Sequence, residues 1–122
     1  MMTTQEVANR YYELASQSKW MEIQDELHDD NVICQEPEHV ASRGAQVVTK
    51  GREAVKAKSI ANRDMIETIH SQYCSEPIVA GNFFSVGLKR DVTFKNRPNV
   101  QLEEICVFQV TEGKIVLEQF FY

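Results

Sequence analysis

Apolar residues in the first third of the chain recur at helical spacing, in two stripes separated by polar residues. The stripe positions are Val7, Tyr11 and Leu14, then Trp20, Ile23 and Leu27. Thr3 and Glu6 precede the first stripe with the spacing of a capping box. The polar run from 28 to 31 ends the second stripe. The pattern therefore predicts two short antiparallel helices.

Residues 32–35 read as a short strand that Glu36 and Pro37 close, because proline cannot donate to a strand ladder. Residues 38–50 are polar and loop-like. Gly51 opens a predicted third helix. One face of that helix is predicted to carry Ala54, Ala57, Ala61 and Met65.

The second half of the chain is rich in β-forming residues. Four segments (66–80, 82–95, 100–111 and 114–122) are separated by turn residues, which predicts an antiparallel meander. Helices followed by a run of strands indicate an α+β fold. We expect a single domain over residues 1–122, since that length suits one hydrophobic core.

Strand alternation predicts which residues share a face at the last hairpin, where Gly113 suits a tight turn. One face is predicted to hold Leu102, Glu104, Cys106 and Phe108 opposite Val116, Glu118, Phe120 and Tyr122. Carboxylates among apolar side chains are typical of a small-molecule pocket. The other face would hold Ile105, Val107, Ile115, Leu117 and Phe121. Because that face is apolar too, we expect a homodimer through it.

The composition of the chain disfavours some classes of binding partner. The net charge is −5, which disfavours nucleic acid and anionic membrane surfaces as partners. No apolar run approaches the ~20 residues of a membrane span, and the first residues do not resemble a leader. We therefore expect a cytoplasmic protein.

The cysteines and histidines point away from disulfides and metals. Cys34, Cys74 and Cys106 are odd in number and far apart, so we interpret them as small buried hydrophobes. The histidines lack the spacing of metal ligands, which predicts no metal site. The sequence does not determine on which face of its strand His70 lies.

Several short motifs, in this order, resemble the SnoaL-like members of the nuclear transport factor 2-like superfamily. The motifs are Arg10-Tyr11-Tyr12-Glu13-Leu14, Asp29-Asp30, Glu36-Pro37, Gly51-Arg52-Glu53-Ala54-Val55 and Glu112-Gly113-Lys114-Ile115-Val116. The resemblance covers essentially the whole chain. It implies a cystatin-like cone, in which three N-terminal helices pack on a strongly curved antiparallel sheet and enclose a cavity.

The resemblance to ketosteroid isomerases of this superfamily also implies roles for individual residues. Tyr11 falls where those enzymes carry a tyrosine that donates to the substrate oxyanion. Glu36 falls in the place of their general base. Cys106, or Ile105, takes the place of their second oxyanion donor, a protonated aspartate, and neither can donate as a carboxylic acid does. His39, after Pro37, could lie at the cavity mouth.

Two functional hypotheses follow. The first is a cofactor-independent isomerase or cyclase that moves a proton on a small apolar carbonyl compound, with Glu118, Glu36 and Glu104 as candidate proton shuttles and Glu118 favoured. Tyr122, Phe120, Val116, Phe108, Leu102, Cys106 and His39 would line the ligand site. The alternative is a non-catalytic ligand-binding or dimerisation module.

Overall fold

The computed structural model describes all residues from Met1 to Tyr122. The helices are α1 (Thr4–Ser16), α2 (Trp20–Leu27), a 3-10 helix (Glu38–Arg43) and α3 (Arg52–Asp64). The strands are β1 (His28–Gln35), β2 (Val48–Lys50), β3 (Ile66–Cys74), β4 (Ile78–Ala80), β5 (Phe83–Phe94), β6 (Asn99–Thr111) and β7 (Lys114–Phe121). None of the helices is long and apolar enough to span a bilayer.

The first two helices form as predicted. Thr3 Oγ1 accepts from the Glu6 amide at 3.2 Å, and the Glu6 carboxylate accepts from the Thr3 amide at 2.9 Å, which completes the capping box. The stripe residues Val7, Tyr11 and Leu14 are buried against the sheet. Helical spacing of apolar residues therefore sets which face of α1 covers the core.

The predicted face of α3 is wrong. Ala54, Ala57, Ala61 and Met65 are all exposed, and Val55 is the one buried residue of this helix. On its inward side α3 contacts the fold through polar groups: Ser59 Oγ accepts from Gln24 Nε2 at 2.6 Å. An alanine stripe is weakly hydrophobic, so it did not determine the buried face of this helix.

The strands form one curled sheet in the order β2-β1-β7-β6-β5-β3, with β4 paired to β5. The sheet is mixed rather than wholly antiparallel, because β1 runs parallel to β7. Residues 28–31, interpreted as a helix stop, belong to β1, and β2 and the 3-10 helix lie in the segment expected to be a loop. The first β-rich segment divides into β3 and β4 around Pro77.

A β-bulge in β7 changes which residues face inward. Val110 pairs with Ile115, but Gln109 pairs with Leu117, so Val116 is an extra residue in β7. Ile115 is therefore fully buried inside the protomer, and its predicted place on the outer face is wrong. Val116 is only partly buried and does not join the core. As the extra residue of the bulge, Val116 has no cross-strand partner on β6.

Beyond the bulge the predicted pairing is confirmed. Phe108 lies opposite Glu118 and Cys106 opposite Phe120. Cys106 and Phe108 are fully buried beneath α1, while Ile105 and Phe121 are about half exposed on the outer face. The sheet therefore has an inner face covered by helices and an outer face that is open.

Candidate functional site

The inner face carries a cluster of polar side chains where β1, β7 and β6 lie side by side. Cys34 of β1 is in register with Glu118 of β7, and Phe108 and Cys106 of β6 follow on the other side. Glu104 lies two residues before Cys106 on the same face of β6. The central position of β7 therefore brings residues from both halves of the chain into one region.

His28 and Glu118 form a buried pair in this cluster. His28 Nε2 lies 3.1 Å from Glu118 Oε2, and the two side chains are only 1% and 9% exposed. His28 Nδ1 is buried and has no partner. A neutral imidazole that donates from Nε2 leaves only an acceptor unpaired at Nδ1, so this tautomer fits the surroundings best. His28 thereby fixes one oxygen of Glu118 and leaves Oε1 free.

Glu36, just after β1, is held through both of its oxygens. Lys58 Nζ of α3 lies 2.6 Å from Oε1, and the Tyr122 hydroxyl donates to Oε2 at 2.8 Å. Burial is the largest single influence and lowers the pKa of Lys58, but the hydrogen bonds that the ammonium donates to Glu36 and Cys34, together with the charges of those two groups, raise it overall. Burial and the bond to Glu36 also raise the pKa of the Tyr122 phenol. The Glu36 carboxylate is thus fully engaged by the protein.

Three further pairs of residues complete the network around Glu36. Lys58 Nζ also lies 3.1 Å from Cys34 Sγ, and it stands 5.9 Å from the centre of the Phe120 ring. His39 Nε2 donates to the Tyr122 carbonyl oxygen at 2.8 Å, and the two rings meet edge to face. His39 therefore anchors Tyr122 on the surface of the cluster.

Glu104 has no strong partner. Its Oε1 lies 3.7 Å from Cys106 Sγ, a weak contact. Burial raises the pKa of Glu104, the guanidinium of Arg90 opposes this shift, and the Glu36 and Glu118 carboxylates reinforce it. Burial also raises the pKa of Cys106 far above its usual range, with Glu104 contributing. Burial thus favours the protonated form of the Glu104 carboxyl.

Tyr11 of α1 faces this cluster. Its ring centre lies 4.6 Å from that of Phe108 and 5.7 Å from that of Phe84. Burial raises the pKa of its phenol well above the usual range, and the neighbouring Cys106 and Glu118 add to the shift. The hydroxyl stays protonated at neutral pH and makes no hydrogen bond within the chain.

The structure thus brings most of the predicted site residues into one region of the inner face. These residues are Tyr11, Glu36, Glu104, Cys106, Phe108, Glu118, Phe120 and Tyr122. Leu102 is half-buried further along β6, opposite Arg90, and His39 is exposed beside Tyr122. His70 is exposed and bonds to Thr93 Oγ1 at 2.9 Å. Val116 is displaced by the bulge.

Sequence reasoning missed His28 and Lys58. His28 lay in a polar run that is typical of a helix end, and only the parallel pairing of β1 with β7 places it beside Glu118. Lys58 lay on a helix whose buried face was assigned to the alanines. No local pattern in the sequence marks either residue.

A cavity of about 190 Å³ lies next to the cluster, between the first two helices and the strands β3 and β5. Its walls include Tyr12, Trp20, Gln72, Cys74, Leu88 and Arg90. Leu88 is the cross-strand partner of Glu104, so this wall of the cavity is next to the strand position of Glu104. Arg90 had a detectable signal in the sequence, because it interrupts the alternate apolar positions Phe84, Val86, Leu88 and Val92 of β5.

Comparisons with known proteins agree with this architecture. The sequence profile of the SnoaL-like domain matches residues 2–122. A crystal structure from Mesorhizobium loti, assigned provisionally as a SnoaL-like polyketide cyclase [carbohydrate phosphatase], is 30% identical with a TM-score of 0.90, over 99% of this chain and 100% of that one. No curated protein matches at a significant level.

More distant structures share the fold. TerC, co-crystallised with polyporic acid, is 17% identical with a TM-score of 0.76, over 98% of this chain and 90% of that one. A protein of unknown function with a cystatin-like fold from Xanthomonas campestris is 14% identical with a TM-score of 0.77, over 98% and 90%. These likenesses confirm the predicted α+β cystatin-like fold.

Proposed function

Because the chain belongs to the SnoaL-like family, we propose that it binds a small, largely apolar carbonyl compound on the inner face of its sheet and moves a proton on it without a cofactor. TerC, a structural neighbour, was crystallised with the small organic molecule polyporic acid, which supports ligand binding by this fold. The reaction class would be isomerisation or ring closure.

The buried pair of His28 and Glu118 is the observation that carries this proposal. A carboxylate that is 9% exposed and held by one hydrogen bond keeps a second oxygen available, in a fixed position and away from bulk water. Those are the properties of a general base. Glu36, in contrast, has both oxygens occupied by Lys58 and Tyr122, so we assign it to holding the end of β1 near Tyr122.

The remaining roles follow from protonation. Glu118 would remove a proton from the carbon next to the substrate carbonyl, and the carbonyl oxygen would become an enolate. Tyr11 would donate its unpaired hydroxyl hydrogen to that oxygen. Glu104, whose pKa is raised by burial, would supply a second hydrogen bond in its protonated form near Cys106, where the sequence offered only a thiol. The proton on Glu118 then returns to a different carbon.

Engagement of Glu36 also supports the second candidate, a ligand-binding protein without catalysis. A carboxylate in the place of the isomerase base that is fully bonded to Lys58 and Tyr122 cannot accept a substrate proton without breaking those bonds. In this alternative the cluster stabilises the fold and the inner face only holds the ligand.

Deuterium exchange separates the two candidates without knowledge of the substrate. A cyclic ketone such as 2-tetralone is incubated in D₂O, and loss of its α-proton signals is followed by NMR. We expect protein-dependent exchange that falls roughly 10²–10⁴-fold in Glu118→Gln. Glu103→Gln, a change on the opposite face of β6, is the matched control and should exchange normally. Exchange that is unaffected by Glu118→Gln would overturn the assignment of the base.

A further inference from the structure

Arg90 is a cation on the inner face that forms no ion pair, although its charge opposes the raised pKa of the nearby Glu104 carboxyl. It occupies an inward position of β5 between the buried residues Leu88 and Val92. Its guanidinium lines the cavity yet makes no hydrogen bond and no ion pair within the chain. Lys58, the other cation near the carboxylates, is already paired with Glu36. A half-buried guanidinium therefore presents its donors to the cavity.

Glu104 is close enough to have paired with Arg90 but does not. Leu88 pairs directly with Glu104, so Arg90 is the diagonal neighbour of that carboxyl. Long side chains reach across such a diagonal, and yet the nearest contact of Glu104 is Cys106 Sγ. The guanidinium remains directed to the cavity, which sets it apart from the ordinary ion pairs of the surface.

Gln72 adds a second unpartnered polar group to the same wall. It is the cross-strand partner of Arg90 on β3, and its Oε1 is buried without a hydrogen bond. A buried amide oxygen is costly to leave unpaired. Arg90 offers donors and Gln72 an acceptor, while Tyr12, Trp20 and Leu88 form an aromatic and apolar remainder of the cavity.

We propose that Arg90 and Gln72 form a binding subsite for the carboxylate of an organic acid whose apolar or aromatic body lies against Trp20 and Tyr12. Guanidinium and carboxylate form paired, charge-assisted hydrogen bonds, which fix the orientation of the acid. Gln72 Oε1 accepts from a hydroxyl of the same ligand.

The subsite defines a class of substrate for the proposed function. Binding of the acid does not depend on that function, and only the statement that the acid is a substrate rests on it. With its carboxylate on Arg90, the ligand directs its other end past Leu88 and Cys74. Leu88 is the cross-strand partner of Glu104, and Cys74 is close enough to Tyr11 to influence the pKa of the Tyr11 phenol. The class is therefore a keto acid with an apolar body and a hydroxyl group that can donate to Gln72 Oε1.

Trp20, the single tryptophan, gives a direct test of binding. We would titrate the full chain with 3-phenylpropanoate and with its neutral counterpart 3-phenylpropanamide, and follow Trp20 fluorescence. We expect a saturable change, and tighter binding of the acid. Arg90→Met should weaken binding of the acid roughly tenfold to hundredfold and leave the affinity for the amide unchanged. Arg90→Lys should keep part of the preference for the acid over the amide. Lys89→Met changes a residue on the exposed face and should keep all of that preference.

Equal affinity of acid and amide, absence of a saturable change with the acid, or an acid affinity that Arg90→Met does not alter would each overturn the subsite. The comparison of the two ligands needs no variant, so it stands even if Arg90→Met does not fold. Absence of ketone exchange in the unchanged chain, with the acid preference present, defeats the proposed function alone, whereas exchange without an acid preference defeats the subsite alone.

Discussion

His28 Nε2 and Glu118 Oε2 lie 3.1 Å apart although 90 residues separate them. The first strand and the last strand run parallel through this pair, and both side chains are buried. The contact therefore joins the helical half of the chain to the end of the sheet, and its energetic weight can be measured.

Removing one member of the pair should destabilise the fold strongly. His28→Leu leaves Glu118 without its buried partner, and breaking such a pair costs about 3–5 kcal/mol. The double variant His28→Leu with Glu118→Leu should recover part of that loss, because no polar group is then stranded. Urea denaturation of the two single variants and the double variant measures the coupling. Independent, additive losses would show that the two side chains do not interact.

The raised pKa of Glu104 predicts a pH dependence of stability. As the pH rises from the ordinary value of 4.5, the unfolded chain loses this proton before the folded protein does, so the free energy of unfolding should fall until the raised pKa is passed. Glu104→Gln removes this contribution, and its profile should be flatter in that window. Glu103→Gln, on the exposed face, should keep the slope of the unchanged chain.

The three cysteines should be inert in the folded protein. They are free and buried, and burial raises the pKa of Cys34 to about 12 and of Cys74 to about 11. Thiolate, the reactive form, is scarce at neutral pH. A chromogenic disulfide reagent should therefore label the native chain slowly and all three thiols promptly in denaturant. Rapid labelling of the native protein at pH 7 would contradict the burial of the thiols.

We also propose that the outer face of the sheet pairs two copies of the chain. Ile105 and Phe121 are 52% and 48% exposed there, with Val107 and Leu117 beside them. Leu117→Lys should split the dimer, because an unpaired charge in an apolar interface is costly. Ile115→Lys is the contrasting variant: this side chain is buried inside the protomer, so its replacement should unfold the chain. Sedimentation of the unchanged protein as a monomer at micromolar concentration would refute the proposal.

Local patterns predicted the elements that depend on short-range chemistry. The capping box of Thr3 and Glu6, the stripe that turns Tyr11 inward, and the alternation that sets Glu118 opposite Phe108 are all present. The parallel pairing of β1 with β7 was not predicted, because no turn links the two strands. The bulge at Val116 was also not predicted, since an extra residue in a strand leaves no compositional mark.

The same distinction between local patterns and long-range packing applies to the residues of the candidate site. Tyr11, Glu104 and Glu118 follow from periodicity within single elements, so the sequence places them. His28 and Lys58 reach the cluster through long-range packing of β1 and α3, which propensity does not encode. Arg90 is an intermediate case: alternation predicts its inward position, but only the structure shows that it forms no ion pair within the chain.

The insertion of β7 between β1 and β6 has a consequence for biosynthesis. Residues 28–35 cannot complete their ladder until residues 114–121 have left the ribosome, because the parallel partner of β1 is β7, which is translated long after β1. Pairing across such a long sequence separation is slow and leaves β1 with an open edge in the nascent chain. Chains arrested before residue 114 should therefore be protease-sensitive and depend on chaperones, even though α1 and α2 can already form.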